Sequence, residues 1–422
     1  MTSTFKKEAL RFHSSLPKGK IRTALQKNIF NKYDLSLAYS PGVSEACIAI
    51  KKDFNKIYHY TNKGNFVAVI TNGTSVLGLG NLGTYAAKPV MEGKAALFKK
   101  FAGIDSIDVE INEKNPKKFI EIVLKIAETW GGINLEDIKA PECFSIEKVL
   151  VKKLNIPVFH DDQHGTAIVT SAALVNALYL CKKTFLNIKI VINGAGAAAL
   201  ACIKLFVKIG VQKKNIIVCD SKGVIYKGRS CGMNKYKDAL AINTKKRKLS
   251  DAMISADVFI GLSVRNSVSK LMIKSMSSKP IIFAMANPDP EILPKLVYQI
   301  SSDAIVATGR SDFNNQINNF ICFPYLFRGA LDVRAIKIND KMKISSIRAL
   351  AYLARKKPIK CYLKKHTQIC CFSKKYIIPS IFDSRLIKEI SVVVAKAALQ
   401  TGVAQNKITD FEKYRKLLSI LL

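Results

Sequence analysis

Apolar positions along this chain of 422 residues follow two alternating patterns. Short continuous runs fall at residues 66–70, 75–79, 107–111, 156–159, 189–193, 215–220, 258–261, 281–284 and 305–307. Runs of that length bounded by glycine, proline or polar residues read as buried strands. Between them, residues 116–130, 144–154, 166–180 and 200–209 carry the longer spacing of helices. A further helix is expected to begin at Pro89, which has no N–H to lose in a first helical turn. Strand–helix alternation of this kind predicts an α/β fold with a parallel, doubly wound sheet. The pattern changes near residue 159. The chain is therefore divided into an N-terminal α/β domain, residues 1–160, and a Rossmann-like domain, residues 161–422, which ends in a helical, lysine-rich tail from residue 330.

The helix after Pro89 carries the first chemical signal. Val90, Leu97, Phe98 and Phe101 share one face, and Lys94 sits in the middle of it. Lys99 and Lys100 point elsewhere. A lysine on an apolar stripe is desolvated, so its pKa is expected to fall and free a neutral amine for base catalysis. The plainer alternative is a lysine whose stem covers the core edge while its amine reaches water.

Two stretches match the glycine pattern of dinucleotide loops. Gly78, Gly80 and Gly83 make the first; Gly194, Gly196 and Ala199 make the second. In the second, a helix starts directly at the turn, so Gly194-Ala195-Gly196-Ala197-Ala198-Ala199 presents helix N-terminal amides to a pyrophosphate. The following strand ends in Asp220, where a ribose-binding acid belongs. The dinucleotide is assigned to this second turn. Asp220 favours NAD, whereas Lys222 suits the 2′-phosphate of NADP.

Two acidic doublets, Glu136-Asp137 and Asp161-Asp162, each close a short apolar stretch. Carboxylates from separate loops suit a hard divalent ion, Mg²⁺ or Mn²⁺. His160 and His164 flank the second doublet, but with no cysteine partner, and lying ahead of the helix expected at 166–180, they argue weakly for zinc. Tyr39 lies in a Pro/Gly loop, where a phenol can serve as a proton donor or simply sit at the core edge. Asn287 and Asn319 follow apolar stretches and suit contacts to an amide or a carboxylate, though asparagine is also a common turn residue.

Composition changes the picture little. The net charge is +36, yet lysine far outnumbers arginine and is spread along the whole chain beside many Asn and Ile. The densest basic run, Lys245 to Lys248, has no aromatic interleaving, so specific nucleic-acid binding is not expected. The 10 cysteines form no CxxC pair, and Cys370-Cys371 is vicinal, which suggests a reducing cytoplasm. The best candidate for a membrane span, residues 188–207, is broken by Lys189, Asn193 and Lys204. Residues 1–20 are basic and faintly like a transit peptide, with no secretory apolar core.

Taken together, these motifs resemble the malic enzyme family, in particular its bacterial NADP-dependent members. The resemblance rests on Leu35-Ser-Leu-Ala-Tyr-Ser-Pro-Gly-Val43, Val76-Leu-Gly-Leu-Gly-Asn81, Lys88-Pro-Val-Met-Glu-Gly-Lys94, Glu136-Asp137, His160-Asp-Asp-Gln-His-Gly-Thr166 and Phe327-Arg-Gly-Ala-Leu-Asp332. It implies a malic domain followed by an NAD(P)-binding domain. It implies oxidative decarboxylation of (S)-malate to pyruvate and CO₂ with NADP or NAD, and decarboxylation of oxaloacetate. It places the proton donor on Tyr39, the base on Lys94 beside Asp161, and the metal on Glu136, Asp137 and Asp162. Substrate or nicotinamide contacts fall on Lys94, Asn287 and Asn319. A homodimer or higher oligomer is implied, with the Tyr–Lys pair completed across subunits. Where animal relatives hold malate with an arginine, this chain has Ser75. The competing reading is a non-decarboxylating dehydrogenase of another 2-hydroxy acid, which leaves the acidic doublets unexplained.

Overall fold

A computed structural model describes residues 3–357 and 371–421. Cys370 and the lysines of residues 358–370 lie outside the described residues.

Two parallel sheets organise the chain. The first has the order β2-β1-β3-β4 and comprises β1 (Phe66–Thr71), β2 (Asp105–Glu110), β3 (Gly132–Leu135) and β4 (Val158–His160). The second has the order β10-β9-β8-β5-β6-β7. Its strands are β5 (Ile190–Asn193), β6 (Ile216–Asp220), β7 (Gly223–Val224), β8 (Val258–Gly261), β9 (Ile281–Ala284) and β10 (Ile305–Thr308). All pairs are parallel except β7, which folds back on β6. Strand order reverses between β5 and β8, and ligands of doubly wound sheets bind at the carboxyl ends of strands at such a point. This is the expected α/β, Rossmann-like architecture.

Seven helices place the site: α1 (Gly83–Ala102), α2 (Glu142–Lys153), α3 (Asp161–Cys181), α4 (Ala197–Lys208), α5 (Phe323–Asp332), α6 (Asp340–Arg355) and α7 (Leu386–Gln400). The expected boundary at 160/161 falls where β4 passes into α3, and one hydrophobic core runs across it. That core joins Val67 and Met91 to Ala167, Ile190, Phe323 and Ile390. Arg328 of α5 ties to the first sheet's entry by donating to Asn65 Oδ1, while also pairing with Asp332.

Several elements differ from the sequence reading. Residues 75–79 are not a strand but contain a 3₁₀ turn, Val76–Gly78, with Leu77 at φ 47°. The helix expected at 166–180 starts at Asp161, so the second acidic doublet is helical. That helix, and not residues 188–207, is the segment among the described residues long and apolar enough to cross a bilayer by length and composition. It is buried instead, packed against α4 and α6.

Candidate active site

α1 carries Lys94 inward, but from a different register. The helix begins at Gly83, so Pro89 lies within it rather than at its start. Proline removes one helical hydrogen bond, leaving the carbonyl of Tyr85 without its usual donor. Tyr85 itself is at the surface. The buried stripe is Ala87, Met91, Lys94, Ala95, Phe98 and Ala102, while Val90, Leu97 and Phe101 are half-buried. Phe98 packs edge-on against Phe323 and Phe327 of α5, at centroid distances of 4.7 and 5.2 Å. That packing fixes the rotation of α1. The Lys94 ammonium then sits 4.4 Å from the centre of the Phe323 ring.

Both acidic doublets converge on this lysine. Lys94 Nζ lies 2.7 Å from Asp161 Oδ2 and 2.8 Å from Glu136 Oε1. Asn134 donates to the other Glu136 oxygen at 2.8 Å. Asp137 holds φ 54°, a left-handed conformation costly for a residue with a side chain. Its N–H donates to Asp162 Oδ2 at 2.8 Å, so the turn after β3 is hydrogen-bonded to the start of α3. Asp161 and Asp162 occupy the first turn of α3, where the helix dipole favours negative charge.

These neighbours overturn the expected neutral lysine. Burial alone would lower the Lys94 pKa, but the Asp161 and Glu136 carboxylates outweigh it and hold the amine protonated well above its usual range. The acids move the other way. Burial, reinforced by Asp162 and Glu136, pushes the Asp137 carboxyl up to about 9. Burial also raises Asp161 to about 7 and Asp162 to about 6, with Lys94 holding both lower than burial would.

Glu136, Asp137 and Asp162 offer carboxylate oxygens that all lie within 4.8 Å of one another. Asp137 Oδ2 is buried without a hydrogen-bond partner. Three hard donors, one of them orphaned, fit a divalent oxygen-seeking cation. The histidines serve a different purpose. Glu147 of α2 lies 2.9 Å from His164 Nε2 and accepts from the His160 N–H at 3.0 Å. It thus pins the start of α3 from behind. The sequence reading missed Glu147, although it shares a helix face with the buried Cys143, Ile146 and Leu150. Gly165 completes the packing: a Cβ there would run into the Asp161 carboxylate and lie 2.9 Å from Asn319 Cβ.

The same cleft, of about 790 Å³, is lined by Lys94, Glu136, Asp137, Asp162, Asn287 and Asn319 and also by Gly196 to Ala199. Gly194 holds φ 125°, and a side chain there would strike the Leu262 carbonyl after β8. Gly196 caps α4 and faces open space, so its backbone can approach a ligand closely. Asp220 ends β6 as expected, but its carboxylate is already engaged. Arg229 donates to both oxygens (2.9 and 2.5 Å), Lys237 Nζ to one (2.7 Å), and the Lys222 N–H to the other (2.9 Å). These cations overcome partial burial and hold Asp220 down at about 2. Lys222 contributes its backbone to this arrangement; Arg229 and Lys237 were not foreseen. Tyr39 is not brought to Lys94 within one chain: it is 72% exposed and absent from the cleft wall.

Comparison with known proteins places this geometry. A sequence profile of the malic enzyme N-terminal domain matches residues 18–151, and one of the malic enzyme NAD binding domain matches residues 163–375. The chain belongs to the malic enzyme family. A probable NADP-dependent malic enzyme of Rickettsia prowazekii is 56% identical over 412 residues, covering 97% of this chain and 54% of that protein. An NADP-dependent malic enzyme of Halomonas elongata is 51% identical and covers 96% of each chain. The crystal structure of a malic enzyme from Pyrococcus horikoshii matches with a TM-score of 0.89 at 39% identity, over 99% of this chain and 95% of that one. The chain spans about half the length of most of the curated malic enzymes it matches.

Proposed function

We propose that this chain oxidises and decarboxylates (S)-malate to pyruvate and CO₂ with reduction of NADP. The observation that carries this reading is Lys94 set between Asp161 and Glu136, beside the Glu136–Asp137–Asp162 carboxylates and facing the Gly196 turn. A non-decarboxylating dehydrogenase has no use for that carboxylate group. When bound, a divalent ion supplies Lewis acidity towards the malate hydroxyl and competes with Lys94 for Glu136. With Glu136 drawn away from it, Lys94 would give up its own proton to solvent, and its neutral amine would take the hydroxyl proton as hydride passes from C2 to the nicotinamide. Asp161 keeps the amine oriented. Asn287 and Asn319 hold the carboxylate and the nicotinamide amide. Tyr39 returns a proton to C3 after CO₂ departs. Residues 1–160 thus supply most of the acid–base chemistry and residues 161–422 the cofactor platform. The direct test is NADPH and CO₂ formation from malate with and without Mn²⁺.

Tyr39 acts in the cleft of a second copy. The segment that carries it is rich in exposed apolar side chains, among them Leu16, Leu25, Phe30, Tyr33 and Phe54. The helices Lys32–Ala38 and Val43–Lys52 bury no residue in the single chain. Such a surface fits a self-association face, and the functional unit is a homodimer. Mixing dissociated Tyr39→Phe and Lys94→Ala chains should restore activity, because one hybrid site then holds both native residues. Mixtures as inactive as the two parents would place Tyr39 and Lys94 in the same subunit's site. The described cysteines are all free thiols, which supports a reducing cytoplasm.

NADP is preferred because Arg229 and Lys237 offset the Asp220 charge that would repel a 2′-phosphate. Lys237→Gln should raise KM for NADP by about 10-fold, the worth of a charged hydrogen bond, and leave KM for NAD nearly unchanged. Equal changes for both cofactors would refute the assignment.

A further inference from the structure

Ser75, which lines the cleft, stands where animal relatives hold malate with an arginine, and the cleft wall supplies another cation. Among the described residues, Lys20 and Lys94 are the cationic side chains that line the cleft. Lys94 is committed to Asp161 and Glu136. Glu136, Asp137, Asp161 and Asp162 outweigh Lys94 and a divalent ion together by one charge, so a dicarboxylate needs a further positive group.

Lys20 is placed for that task by its own loop. Gly19 takes φ 84°, which turns the chain against α1. The Lys20 N–H donates to Glu92 Oε2 at 3.2 Å, and its Nζ donates to the Pro89 carbonyl at 3.0 Å. Glu92 lies farther off, 3.9 Å from Nζ, and the Lys20 side chain is 19% exposed. One ammonium proton is therefore used, and others remain for a ligand. Pro89 precedes Lys94 by five positions, about 7.5 Å along a helix axis. Gly93 lies between them on the cleft wall, and the space beyond it is open.

We propose that Lys20 binds the malate carboxylate that is not adjacent to the hydroxyl, in place of an arginine. This rests on the malate reading above. The test uses the full chain with Lys20→Gln and Lys20→Arg. Calorimetric titration of malate into the complex with Mn²⁺ and NADPH should show affinity about 10- to 100-fold weaker for Lys20→Gln, as for a lost charged hydrogen bond. Its KM for malate should rise in step while kcat changes little, and Lys20→Arg should recover most of the affinity. 2-Hydroxybutyrate keeps the hydroxy-acid half of malate and lacks the second carboxylate, so it should compete equally well in the wild type and in Lys20→Gln. Equal loss for both ligands would make Lys20 a structural residue and overturn the proposal. Unchanged malate binding in Lys20→Gln, with an active wild type, would overturn it alone. A wild type that makes no NADPH from malate would overturn the activity reading and this one with it.

Discussion

Replacing Lys94 by alanine should lower malate oxidation by about 1,000-fold or more, within the range lost with a general base. The expectation follows from position as much as from chemistry. Met91 and Phe98 fix the helix face, the Phe323 ring abuts the ammonium, and among the described residues no other lysine pairs with Glu136 or Asp161. NADPH binding, followed by fluorescence, should survive, because the glycine turn that caps the helix Ala197–Lys208 is built from a separate part of the chain. The same substitution leaves buried carboxylates without their cation, so the metal-free protein should lose about 3–5 kcal/mol of stability. Near-normal turnover in a folded Lys94→Ala protein would remove Lys94 from the mechanism.

Stripping divalent ions should abolish turnover, and Asp162→Asn should keep it low even at millimolar Mn²⁺. The same carboxylates link metal to stability. Asp137, Asp161 and Asp162 titrate at about 9, 7 and 6 in the metal-free fold, above ordinary aspartates. A raised acid pKa means the folded chain holds protons that the unfolded chain has released. Stability from these groups is then present at low pH and is lost as pH climbs from about 4 through the folded values. A divalent ion takes over the role of those protons. The thermal midpoint should therefore rise with Mn²⁺, by more at pH 8 than at pH 6, with about 2.7 kcal/mol gained at 100 times Kd. A shift independent of pH, or one retained in Asp162→Asn, would contradict the site.

Much of this was legible in the chain because the signals were local. Gly194, Gly196 and Asp220 keep the spacing of a strand, turn, helix and strand, and β5, α4 and β6 follow it. The inward Lys94 was also legible, yet its register was not. Pro89 looks like a helix start, whereas the helix begins six residues earlier, at Gly83. The charge of Lys94 was misjudged because local spacing reports burial but not which acids arrive from β3 and α3. Arg229 and Lys237 were invisible for the same reason: they follow Asp220 by 9 and 17 positions, one in a turn and the other in the four-residue helix Lys235–Asp238, too short to show a period. Tyr39 was singled out by its motif, but one chain gives it no partner in the cleft.

Gly165 sets a different kind of limit. It has no chemistry, and its φ needs no glycine. Yet every other residue would carry a Cβ into the carboxylate of Asp161. Mutational tolerance at this position should be as low as at a catalytic group. A chain whose composition leans so far towards lysine, asparagine and isoleucine has freedom over most of its surface and none at this atom-sized gap.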